Sequence, residues 1–196
     1  MQKTFLLAAG LMLFKSALPQ QIDLDNFNLH RQKINKKGMF AIGGWSAANI
    51  LYGSIAASRT RGSTVYFNRM NAIWNAVTFG ISTIGYFTSK KEDGLTFRQS
   101  LNRQTSIEKI FLANTLLDAV YVAGGLYLQE RAHNTIQNGE KLKGYGQSIV
   151  LQGSVLFLFD GLMYILHTHH GKLMYNFAEK VKFASTENGL GVILKL

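Results

Sequence analysis

The sequence predicts an all-α membrane protein, a bundle of four transmembrane helices followed by a C-terminal β-hairpin. Three observations carry that expectation. Four windows, residues 39–58, 70–89, 110–129 and 144–171, hold almost no charge, and each reaches the roughly 20 residues with which a helix crosses a bilayer. None contains proline, and Gly, Ala, Ile, Leu and Phe fill them. A soluble helical domain would show charge on the outward face of most helices, and four consecutive windows lack it.

Residues 1–19 read as a cleaved signal peptide: Lys3, an apolar run over 5–14, then Ser16, Ala17, Leu18 and Pro19. Residues 20–38 form an interfacial segment in which Leu24, Phe27, Arg31 and Ile34 fall near one helical face, with Lys36 and Lys37 at the headgroups. The four-helix membrane domain occupies residues 39–171. Its first connection, 59–69, is short and basic. The second, 90–109, offers Leu95, Phe97 and Leu101 as interfacial anchors, and Thr105 with Glu108 has the capping-box spacing that would open the third helix. The third, 130–143, is polar. Residues 172–196 form an amphipathic tail whose apolar-rich runs, 181–185 and 190–196, flank Asn188-Gly189, the favoured centre of a tight hairpin turn.

The net charge of +10 is assigned to the connections, where it suits membrane topology and anionic headgroups. No zinc spacing, helix-turn-helix pattern or aromatic-basic sheet signature points to nucleic acid. The absence of cysteine removes disulfides, iron–sulfur clusters and thiol chemistry. No nucleophile–base pair, phosphate loop or zinc-protease motif is present, so a non-enzymatic protein without a cofactor is expected. Its expected partners are the lipid bilayer and a protein, either a different chain or a second copy. His30, His167, His169 and His170 are expected at the headgroups rather than as metal or haem ligands, because none lies mid-span opposite a partner.

The charged exceptions inside the apolar windows are Asp118 and Asp160. A carboxylate in hydrocarbon is costly and should face an interior, a cavity or a partner. At helical spacing the stripes are mostly small and polar: Asn71, Asn75, Thr78 and Ser82 on span two, Asn114, Asp118, Tyr121 and Gly125 on span three, Gly153, Phe157, Asp160 and Tyr164 on span four, Ile42, Ser46, Asn49 and Gly53 on span one. Such stripes are first of all packing faces. Counting about 1.5 Å per residue from each helix end puts Asp118 and Asp160 at similar depth. One buried polar cluster is therefore expected from Asp118, Asp160, Asn49, Asn114, Thr78, Ser82, Tyr121 and Tyr164. Three roles fit it: a hydrogen-bonded core of a structural or partner-binding bundle, a proton or cation site in a carrier or channel, and a site for a lipid or quinone.

Asn49-x-x-Tyr52 echoes Asp118-x-x-Tyr121, and Trp74-Asn75 echoes Gln152-Gly153, which suggests two copies of a helical hairpin. Gly38-Met39 leading to Gly43-Gly44-Trp45, then Met70-Asn71, Trp74-Asn75, Asp118-x-x-Tyr121, Gly144-Tyr145-Gly146-Gln147, Gln152-Gly153 and Phe159-Asp160, resemble an uncharacterised family of small multi-pass membrane proteins from Bacteroidota. That resemblance implies a signal-bearing, four-helix protein of the bacterial inner membrane and supplies no activity, substrate or cofactor.

Orientation is read in opposite senses by two features. The side bearing both termini and the second connection carries the greater number of Lys and Arg residues, which favours the cytoplasm. A cleaved signal peptide would deliver that same side outside.

Overall fold

The computed structural model describes residues 23–89, 92–186 and 189–194, with backbone alone from residue 180 onward. The signal expected at residues 1–19, and Asn188 of the expected turn, lie outside the described residues. Four helices make up most of the fold: α1 (Leu24–Arg59), α2 (Ser63–Thr88), α3 (Phe97–His133) and α4 (Gly139–Lys180).

Asp23 caps α1, its carboxylate accepting the Asn26 N–H at 3.0 Å. The helix then runs without a break through both the interfacial segment and the first apolar window. Its 36 residues span about 54 Å, far more than a bilayer core. Gly62 joins α1 to α2 at φ +63°, a backbone region that glycine enters at no steric cost.

The start of α3 corrects an expectation. The helix opens two turns before the Thr105–Glu108 pair, with a complete capping box at Thr96 and Gln99. Thr105 instead donates to the Leu101 carbonyl at 2.9 Å, and Glu108 is buried in the bundle. Arg98, Arg103 and Lys109 ride on α3, as Arg31, Lys33, Lys36 and Lys37 ride on α1. Much of the basic charge assigned to connections thus belongs to helices that outrun their apolar windows.

After α4, strands β1 (Val181–Thr186) and β2 (Gly189–Leu194) pair antiparallel, Val181 opposite Leu194 and Thr186 opposite Gly189.

The broad interfaces are α3 with α4, α1 with α2, and α2 with α4, whereas α2 and α3 share no such interface. Glycines set the closest approaches. A Cβ on Gly125 of α3 would stand 2.8 Å from the Gly146 carbonyl oxygen of α4, and one on Gly146 would stand 2.6 Å from that of Gly125. On α1, a Cβ on Gly53 would stand 2.7 Å from the Asn68 carbonyl oxygen of α2. Close backbone approach through small residues is how helices associate where no apolar surface has water to escape.

Burial is inverted relative to a water-soluble bundle. Among the described residues, buried polar side chains outnumber the buried hydrophobic ones, which are Phe27, Ile42, Phe111, Met163 and Met174. The buried residues of α2 are Asn68, Asn71, Asn75 and Ser82, while its Ile73, Val77, Ile81, Ile84 and Phe87 are exposed. Among the described residues, two helices, α3 and the Gly139–Glu179 stretch of α4, are long and apolar enough to cross a membrane. The sequence led to an expectation of four. The inward stripe of α2 is made of amides and a serine, and its outward stripe is apolar.

Candidate functional site

The inward stripes meet in two separate polar regions. The first is a circuit of hydrogen bonds through three helices. Trp45 Nε1 on α1 donates to Gln152 Oε1 on α4 at 3.3 Å, and Gln152 Nε2 donates to Asn71 Oδ1 on α2. Asn71 Nδ2 donates to Asn49 Oδ1 on α1 at 2.8 Å, and Asn49 Nδ2 donates to the Trp45 carbonyl at 2.9 Å, closing the loop. Asn75 adds a bond from its Nδ2 to the Asn71 carbonyl at 2.8 Å. An amide presents donors and an acceptor on one planar group, so each member can give and receive. Asn49 therefore belongs to this circuit and not to the acidic cluster expected from the sequence.

The second region holds the carboxyls. Asp118 and Asp160 stand beside each other across the α3–α4 interface, with Asn114 next to Asp160. Asp118 is 3% and Asp160 6% exposed. Asp118 Oδ2 is buried without a hydrogen-bond partner.

This pair forms part of the floor of a cavity of about 660 Å³, within the range of small-molecule sites. Ile73, Val77 and Ile81 of α2 form one wall, Ile110, Leu117 and Tyr121 of α3 the other, and Leu156, Phe159 and Asp160 of α4 lie between them. The wall residues are themselves exposed, Ile73 at 60% and Ile110 at 56%. The cavity is thus a cleft that opens sideways where α2 and α3 stand apart. Thr78, Ser82, Asn114 and Tyr121 line it with the two aspartates. Thr78 and Ser82 spend their hydroxyl protons on carbonyls of their own helix, those of Trp74 and Phe79. Tyr121 packs edge-on against Trp74, with ring centroids 5.0 Å apart. Tyr164 is absent from the lining; it lies farther along α4, where its carbonyl accepts from Thr168 at 3.0 Å.

A third polar assembly, at the end where α1 and α3 begin, was missed by sequence reasoning. Arg31, 4% exposed, pairs with Glu92 and donates to the Ser100 carbonyl at 3.1 Å. Burial lowers the Arg31 guanidinium from its ordinary pKa, and the hydrogen bond and charge of Glu92 oppose that shift. Gln104 donates both to Glu108 at 2.8 Å and to the His167 carbonyl at 2.7 Å, and Tyr175 donates to Glu108 at 2.7 Å. At this end of α4 two of the histidines pack against the neighbouring helices. His167 is fully buried and stacks on Phe111, and His170 stacks between Phe27 and His30. The early start of α1 explains it, because Phe27, His30 and Arg31 lie alongside that end of α4. The signal available in the sequence was the helical spacing of Phe27, His30, Arg31 and Ile34. Among the described residues, no group of three or more His, Asp or Glu side chains is placed to hold a metal ion.

The sequence model of a family described as "Family of unknown function (DUF6992)" matches residues 41–161. The chain belongs to this family. Within this DUF6992 member the match takes in the whole amide circuit and the Asp118–Asp160 pair, and it leaves out the Arg31 end of α1. No curated protein and no solved structure matches the chain.

Proposed function

We propose that this protein is a non-enzymatic, four-span membrane bundle that admits an apolar ligand from the bilayer into the cleft between α2 and α3. The observation that carries the reading is the cleft itself: exposed aliphatic walls, a lateral mouth, and a floor holding the Asp118–Asp160 pair. Inverted burial supports four spans, since α2 presents amides inward and isoleucine, valine and phenylalanine outward. Within hydrocarbon that arrangement leaves apolar side chains against lipid and lets polar ones bond across helices. A purely structural bundle would close its polar interior. The amide circuit is closed in that way, and the carboxyl cleft is open.

The test is photolabelling in proteoliposomes with a lipid that carries a diazirine on its acyl chain, followed by peptide mapping. Adducts are expected on the cleft floor, at Asn114, Leu156 and Phe159, as well as on outward residues such as Ile84 and Phe87. Adducts confined to the outward faces would sink the ligand reading. Release of the protein from membranes by carbonate would sink the membrane reading.

A further inference from the structure

The chemistry of the cleft narrows what it can hold. Its walls are aliphatic and aromatic, and none of the described residues lining it is basic. The acidic pair at its floor therefore has no positive counterpart among the residues of the cavity. Asp118 lines the cavity, is 3% exposed, and keeps Oδ2 without a hydrogen-bond partner. A buried carboxylate oxygen with no partner is costly unless something brought from outside completes it.

Three candidates could do so. Water would satisfy the oxygen but gains little from a cavity whose remaining surface is apolar. A bare inorganic cation needs several oxygen ligands around it. Here oxygens of Asp118, Asp160 and Asn114 on α3 and α4 and of Thr78 and Ser82 on α2 share the lining with Ile73, Val77, Ile110 and Leu117, so much of such an ion's surroundings would be apolar. An organic cation matches both halves, a positive centre for the carboxyl pair and an apolar body for the walls. Trp74 and Tyr121, packed edge-to-face at the same cavity, add aromatic surface, which attracts cations as well as apolar groups.

We propose that the cleft binds a hydrophobic organic cation, its charged centre against Asp118 and Asp160 and its apolar body along the α2 and α3 walls. This rests on the reading of the cleft as a ligand site open to the bilayer. The charge specificity is a separate statement, and it fails separately.

The test is equilibrium binding of radiolabelled tetraphenylphosphonium to the full-length protein immobilised in detergent, with neutral triphenylphosphine oxide as a competitor of related shape. Saturable binding is expected, with the neutral compound competing about tenfold more weakly or worse, as a close charge in a low-dielectric cleft requires. The combined Asp118→Asn and Asp160→Asn variant should lose about tenfold in affinity for the cation and little for the oxide. Ile110→Trp, which fills the cleft and keeps both carboxyls, should weaken both probes. The comparison of the two probes on the unaltered protein needs no variant to fold. Equal competition by the oxide would overturn the charge specificity while leaving an apolar site in place. Displacement by sodium or potassium but not by choline at equal ionic strength would assign the carboxyls to an inorganic ion and overturn the proposal. If neither probe binds and lipid photolabelling spares the floor, the underlying ligand reading fails as well.

Discussion

Gln152 and Asp160 sit eight residues apart on one helix, about 12 Å along its axis, and both are buried and polar. Around Gln152, three helices close on one another, and the side chains of Trp45, Gln152, Asn71 and Asn49 pass hydrogen bonds in a complete circuit. Around Asp160, α3 and α4 close but α2 stands off, and the carboxyl pair is left at the floor of a 660 Å³ cleft with an unpartnered oxygen. The same kind of inward stripe yields a sealed joint in one place and an open one in the other. Side-chain chemistry follows the difference. Amides can satisfy each other, since each can both donate and accept, although Asn75 Oδ1 beside the circuit keeps no partner. Two carboxyls can share only a proton, and they leave acceptors over.

If the sealed joint is structural, breaking its geometry should produce the largest loss. Gly53→Leu would drive a side chain into the Asn68 carbonyl and the Ala72 backbone, forcing α1 off α2 beside the circuit. A loss of about 3 kcal/mol is expected from overpacking of this kind, read by denaturant titration in mixed micelles. Asn71→Leu keeps the branched outline but removes the member that bonds Gln152, Asn49 and Asn75. It should cost about 2 kcal/mol, because partners are stranded while bonds between helices in lipid are individually modest. A loss indistinguishable from zero would mean that the circuit adds nothing to assembly.

The open joint should respond differently. Asp118→Asn retains shape and hydrogen-bonding capacity, so a stability change below about 1 kcal/mol is expected, while cation binding weakens. A stability loss as large as that of Asn71→Leu would erase the distinction between the two regions. The smallest effect is expected from neighbouring glycines on α3. A Cβ on Gly124 meets nothing within 4 Å, whereas Gly125 abuts Gly146. Gly124→Leu should therefore leave stability unchanged or raise it by a few tenths of a kcal/mol through helix propensity, measured in the same titration.

The levelling of Asp118 and Asp160 was legible in the sequence, because depth along a helix requires only the rise per residue and two helix ends. Their lateral meeting followed from stripes that had to face inward. The fate of Asn49 and Tyr164 was not legible. Which of several inward polar residues meet depends on how far helices slide and rotate against each other, and glycine contacts such as Gly125 with Gly146 set that. Helix length was misread for a different reason. Arg98, Arg103 and Lys109 look like loop residues when apolar windows are sought, yet they ride on α3 once Thr96 and Gln99 cap it. The same early start on α1 packs Phe27 and His30 against His170, a contact between helices that spacing within one helix does not show.

One feature of α4 has mechanical weight. The helix is unbroken from Gly139 to Lys180, so Tyr175, held by Glu108, and Asp160, at the cleft floor, are two points on one stiff rod about 22 Å apart. A tilt of roughly 5° pivoted at the Tyr175 end would carry Asp160 sideways by about 2 Å at that lever arm, most of a hydrogen-bond length. Loosening the Glu108–Tyr175 end would therefore shift the floor of the cleft without any residue of the cleft itself being touched.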